Sequence, residues 1–138
     1  MTKIDFYILA EGSPEHTACK LVEKAYTLGH RIYVHTGSDE QARRMDEMLW
    51  TYRGGSFIPH QQYQPGQEVH SPVQVGAHDS PEIDSDVLIN LAPEVPLFFS
   101  RFQRVAELIG IDEETKNQGR ERYRFYKDRG YPLDTHHL

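Results

Sequence analysis

One cysteine, Cys19, is all the chain contains, which excludes an internal disulfide and any cysteine-based metal cluster. No apolar run approaches the ~20 residues needed to span a bilayer. The opening MTKIDFYILAEGS carries one Lys and then a strand-like alternation in place of a secretory h-region. These absences predict a cytoplasmic protein. Cations are also in the minority, with 15 Lys+Arg against 21 Asp+Glu and a formal net charge of −6. That balance argues against an extended nucleic-acid surface, whose affinity comes mostly from neutralising phosphates. The 38% apolar fraction is that of an ordinary globular chain, and the length suits one domain over residues 1–138.

What is present reads as alternating strands and helices. Residues 3–9 (KIDFYIL) and 31–36 (RIYVHT) are strands, and between them Ala18, Leu21, Val22, Ala25 and Leu28 recur at helical steps before Gly29. This βαβ pattern implies neighbouring parallel strands. Ser38 with Gln41 three residues on is a capping-box start for a second helix. Ala42, Met45 and Leu49 mark its buried stripe, and residues 53–55 (RGG) its stop. Residues 56–60 (SFIPH) form a short extended piece, in which Pro59 disfavours a central strand. Residues 61–84 read as a long excursion or edge hairpin with a weak strand near 73–75, and 85–92 (SDVLINLA) as an interior strand. Leu97, Phe98, Phe102, Val105, Ala106 and Ile109 suggest a helical stripe. A last helix begins near Asp112 and ends at Gly130, with Pro132 beyond. The predicted fold is a three-layer α/β sandwich on a Rossmann-like, mostly parallel sheet.

Catalytic and cofactor chemistry leave little trace. The loop after the first strand, residues 10–16 (AEGSPEH), has one Gly and two Glu, so it lacks the phosphate-binding glycines of a nucleotide site. The eight His are scattered without metal-ligand spacing, and His136 and His137 read as a mobile tail. Cys19 sits beside the first helix's apolar stripe and reads as a half-buried structural thiol. The carboxylate pairs Asp46–Glu47 and Asp84–Asp86 would serve a hydrolase only if they met at the sheet's carboxyl edge. No catalytic, cofactor or metal residue is assigned.

One segment runs against the acidic composition. Residues 116–129 (KNQGRERYRFYKDR) hold six basic and two acidic residues with three aromatics among them. At about 100° per residue, Lys116, Arg120, Tyr123, Arg124 and Lys127 fall on one helix face. A solvated charged face is the plainer reading. Nearly uniform sign argues against it, because solvating faces usually mix charges for pairing. So does Gly119, which costs ~1 kcal/mol in a helix interior but would let another chain approach closely. Such a face suits an acidic peptide with an apolar end, or a phosphate backbone with bases stacked on tyrosine. Trp50, with Phe57 and Ile58 just before Pro59, forms a second candidate surface, near the end of the second helix.

Taken together, FYIL in the first strand, DEMLW with SFIPH in the middle and RERYRFYKDRGYPL near the end resemble the chi subunit family of the bacterial DNA polymerase III holoenzyme. The resemblance implies a Rossmann-like fold and a non-catalytic adaptor of the clamp loader. It further implies that Lys116, Arg120, Tyr123 and Arg124, with Ile109 at the apolar end, bind the acidic C-terminal tail of single-stranded-DNA-binding protein (SSB), which ends in Asp-Phe-Pro-Phe. Arg124 departs from the Lys expected there but keeps the charge, and Gly119 is a second departure, implying a looser helix. Trp50, Phe57 and Pro59 match the interface for the psi subunit or an alternative helicase partner. DNA would be met only indirectly, and no membrane contact is implied. Direct single-strand binding and a metal-dependent hydrolase are the competing readings.

Overall fold

A computed structural model describes residues 1–52 and 57–138. The chain runs β1 (Lys3–Ile8), α1 (Pro14–Thr27), β2 (Ile32–His35), α2 (Asp39–Thr51), β3 (His60–Gln62), β4 (Val73–Gly76) and β5 (Val87–Asn90). It continues through a 3-10 turn (Phe99–Arg101), β6 (Arg104–Ile109), α3 (Glu113–Asp128) and β7 (Leu133–His137). Among the described residues, seven strands form one sheet in the order β3-β4-β2-β5-β6-β1-β7, with every pairing parallel.

Strand alternation sorts the core into two layers. Ile32, Val34, Val73, Val75 and Ile89 face α1 and α2, which return Ala18, Cys19, Val22, Ala42, Met45 and Leu49. Ile4, Phe6, Tyr33, Leu88, Val105 and Ile109 face the other way, toward Tyr126 of α3 and the Phe98–Phe99–Phe102 cluster. This is the three-layer α/β arrangement that the sequence predicts. Cys19 is wholly buried rather than half-buried. Burial, with Glu15's charge, pushes its thiol up to about 11, so it stays protonated.

Side chains start each helix as local chemistry requires. Ser13 Oγ accepts from His16 N at 3.2 Å and Ser38 Oγ from Gln41 N at 3.1 Å. Gln41 closes a variant of the capping box by accepting from Gly37 N at 2.9 Å. The Asp112 carboxylate caps α3 through Thr115 N at 3.2 Å. The expected stop of α2 at residues 53–55 lies outside the described residues.

Three sequence expectations are corrected. The segment expected as a helical stripe over residues 97–109 is instead the 3-10 turn followed by β6, an interior strand between β5 and β1. Five of the strand's six residues are buried, so its near-continuous apolar run carries no period to distinguish it from a helix. Residues 61–84 hold no edge hairpin. Its strand β4 lies inside the sheet, parallel to both β3 and β2, because Val73 and Val75 are wholly buried. His136 and His137 are not a loose tail but part of β7. There the His136 ring stacks on Tyr7 with centroids 4.7 Å apart, and its Nε2 lies 3.0 Å from Asp5 Oδ1.

A buried polar network fixes α3 against the sheet. Glu107 of β6 is fully buried. Its carboxylate accepts from Arg122 Nε at 2.7 Å, from Tyr126 Oη at 2.7 Å and from Asn90 Nδ2 at 3.0 Å. Arg122 also donates to Pro93 O at 2.9 Å. One of the six cations in the basic segment is thus committed to the core rather than to a ligand.

Candidate functional site

With its register fixed by Glu107, α3 lays its opposite flank over β6, β1 and β7. An open cavity of about 370 Å³ results, lined by Phe6, Ile8, Ile109, Lys116, Gly119, Arg120, Tyr123 and Thr135. This lies near the lower end of the ~300–1,000 Å³ typical of ligand pockets. Phe6 and Tyr123 meet edge to face with centroids 5.2 Å apart, giving the floor one fixed aromatic wall. Ile8 and Ile109, from adjacent strands β1 and β6, complete its apolar side.

Gly119 explains how the cavity stays open. A Cβ at that position would overlap the Ile109 side chain. The glycine lets α3 settle directly onto Ile109 and itself lines the cavity. α3 runs continuously through it, from Glu113 to Asp128.

The polar rim is cationic. Lys116 is half-buried and Arg120 exposed, and Arg120 Nη1 donates to Asn117 Oδ1. Among the described residues no carboxylate lines the cavity and no ion pair within 4 Å engages either cation, though Asp112 lies near enough to interact with the charge of Lys116. Apolar floor and unneutralised cations together suit an anionic ligand with an apolar end. Arg124 does not join this group. It pairs with Glu121 at 3.1 Å, both side chains well exposed.

Trp50, Phe57 and Pro59 lie beside the far edge of the sheet. Trp50 is 55% and Phe57 64% exposed, with ring centroids 5.5 Å apart. Trp50 also packs on His60 at 4.5 Å. The His60 ring is held by Ile58 O at 2.7 Å and Asp46 O at 3.0 Å, so a buried, hydrogen-bonded imidazole backs the aromatic pair. Pro59 is half-buried directly before β3.

The carboxylates a hydrolase would need do not converge. Asp86 precedes β5, at the amino end of the sheet, where its Oδ1 accepts from Arg31 N at 2.7 Å and its Oδ2 contacts His30 Nδ1 at 2.5 Å. Asp46 lies on α2, 3.4 Å from His60. Among the described residues, no group of three His, Cys, Asp or Glu is placed to hold a metal ion.

The model of the family described as DNA polymerase III chi subunit, HolC, matches residues 1–134. The chain belongs to this family. A curated DNA polymerase III subunit chi from Pseudomonas aeruginosa is 38% identical over 141 residues, covering 100% of this chain and 98% of that protein. Its counterparts from Haemophilus influenzae and Escherichia coli K12 are 29% and 28% identical. They cover 96% and 88% of this chain, and 95% and 83% of their own lengths.

For this chi-family chain, sequence reasoning named Ile109, Lys116, Arg120 and Tyr123, and all four line one cavity. It missed Phe6, Ile8 and Thr135. Phe6 and Ile8 share one side of β1 by simple alternation, a signal available once β1 is placed next to β6. Thr135 had no comparable signal, because the strand that carries it is not legible in the sequence, its His136 and His137 reading as a tail.

Proposed function

We propose that this chi-family protein is a non-catalytic adaptor that links the clamp loader of DNA polymerase III to SSB by binding the acidic SSB C-terminal tail in the α3 cavity. The observation that carries the reading is the pairing of an apolar floor (Phe6, Ile8, Ile109, Tyr123) with two unneutralised cations, Lys116 and Arg120, at one rim. A peptide ending in Asp-Phe-Pro-Phe would place its terminal ring on that floor and its carboxylates against the cations. Arg124, already paired, contributes long-range attraction and no direct contact.

The exposed Trp50–Phe57 pair with Pro59 is the second surface of the adaptor, taking the psi subunit or a helicase in its place. Large exposed aromatics backed by a rigid shelf are the usual anchors of protein interfaces. The adaptor needs no cofactor, and it meets DNA only through SSB, in the cytoplasm.

Titrating the chain with a peptide ending in Asp-Phe-Pro-Phe, and separately with a single-stranded oligonucleotide, tests this reading. Peptide binding that weakens with salt and disappears in Arg120→Ala supports it. An oligonucleotide that binds more tightly than the peptide would instead establish direct single-strand binding.

A further inference from the structure

The α3 cavity ends against an open edge of the sheet. β7 is the outermost strand there, paired with β1 on one side. Hydrogen bonds fix which of its backbone groups face inward. Ile4 N donates to Pro132 O at 3.0 Å where the ladder begins, and Leu138 N donates to Ile8 O at 3.0 Å where it ends. In a parallel pair, a β1 residue that bonds across the gap reaches the two neighbours of the residue opposite it, and that opposite residue turns its own N–H and C=O away. Leu133, Thr135 and His137 stand opposite Ile4, Phe6 and Ile8. Their three N–H and three C=O groups therefore point outward, and among the described residues no loop or cap bond engages them.

This edge lacks the usual guards. Natural edge strands carry Lys, Pro or a bulge, or lie under a helix or loop. β7 keeps an unbroken register over its five residues and contains neither Lys nor Pro. Its one carboxylate, Asp134, lies 2.7 Å from Lys3 Nζ, and Thr135 and His137 are exposed. The edge is also continuous with the cavity. Side chains alternate along a strand, so Leu133, Thr135 and His137 share the α3 side while Asp134 takes the other. Leu133 packs into the layer beneath α3, and Thr135 lines the cavity together with Lys116 and Arg120. A chain leaving the cavity past Thr135 thus meets unpaired backbone groups directly, beside two cations.

We propose that the partner segment preceding the chain end held in the α3 cavity adds to β7 as an eighth strand, an extended acidic peptide bound through its backbone; this rests on the cavity's taking that chain end. Strand addition draws its affinity from main-chain hydrogen bonds, so the added segment needs extended conformation and negative charge but no fixed sequence.

The test is calorimetry of the full chain with the tetrapeptide Asp-Phe-Pro-Phe, with a ten-residue acidic peptide ending in the same four residues, and with two N-methylated forms of the longer peptide. One form carries N-methyl groups on the odd upstream amides and the other on the even ones. The longer peptide is expected to bind about tenfold tighter than the tetrapeptide or better. Only alternate amides of an added strand face its neighbour, so one N-methylated form should lose that gain and the other keep it. Amide hydrogen exchange of the chain should slow at Thr135 and His137 with the longer peptide and not with the tetrapeptide. No gain from the longer peptide, or equal loss from both N-methylated forms, overturns strand addition while leaving the cavity reading in place. Failure of both peptides to bind overturns the two together. Slow exchange at Thr135 and His137 in the free chain that quickens on dilution would put a second copy on the edge and overturn the proposal.

Discussion

At the scale of single residues, Gly119 and Arg122 show how one side chain decides what the basic segment does. Gly119→Ala trades about 1 kcal/mol of helix propensity against displacement of the flexible Ile109 terminus. Its melting temperature should therefore change little. The displaced Ile109 enters the cavity, so Asp-Phe-Pro-Phe peptide affinity should fall about tenfold or more, since a buried apolar side chain contributes ~1.5–3 kcal/mol. Unchanged affinity in calorimetry would show that the cavity depth is irrelevant. Arg122→Met leaves the buried Glu107 without its cation and should cost about 3–5 kcal/mol in denaturant unfolding. Tyr126→Phe, which removes one hydrogen bond to the same carboxylate, should cost about 1.5–3 kcal/mol. A loss below 1 kcal/mol for both would mean that the network does not hold α3.

At the scale of elements, β7 is tied to the sheet through Asp5. That carboxylate is almost fully buried and lies 3.0 Å from His136 Nε2, 2.8 Å from Arg104 Nη2 and 3.8 Å from Lys3 Nζ. Burial raises its pKa, but hydrogen bonds from His136 and Arg104 outweigh this and hold it below the ordinary carboxylate value. A group depressed in the folded state stabilises fully above its unfolded pKa, about 3.9, and loses that contribution as pH falls through the lower folded value. Asp5→Asn should therefore cost about 1–2 kcal/mol near neutral pH, modest because its partners are partly solvated. The gap between variant and parent, followed by unfolding, should close as pH drops below about 4. A gap that widens on acidification would contradict the assignment.

This same element marks the limit of what the sequence discloses. Caps at Ser38 and Asp112 and the stripes of α1 and α2 are local patterns, and the structure places them as read except at Leu28, which follows α1 and is exposed. β7 and β6 are not local. β7 exists because Asp5 and Tyr7, some 130 residues away in sequence, receive His136. β6 is a strand because both its faces are covered, which erases its period. The cavity was legible on its α3 side, where periodicity groups Lys116, Arg120 and Tyr123, and illegible on the side supplied by β1 and β7. Arg122 falls outside the cationic face that helical spacing groups, but that spacing alone does not reveal its buried carboxylate partner.

At the scale of the whole molecule, the two proposed surfaces flank opposite edges of one sheet. β3 and β7 are its outermost strands, and six inter-strand spacings of about 4.8 Å put them roughly 29 Å apart. Sites so separated are expected to behave additively. Trp50→Ala should abolish capture of the psi-type partner and leave peptide titrations unchanged, while Arg120→Ala does the reverse. On the proposed reading, the acidic body keeps DNA at a distance while the cationic rim of α3 reads a peptide. The central claim is that an apolar chain end and its carboxylates are recognised together in the α3 cavity. Calorimetric titration with a short peptide ending in Asp-Phe-Pro-Phe, beside the same peptide lacking its last Phe, measures this directly. Binding of the first and not of the second is the expected result; equal binding of both, or of neither at low salt, would contradict it.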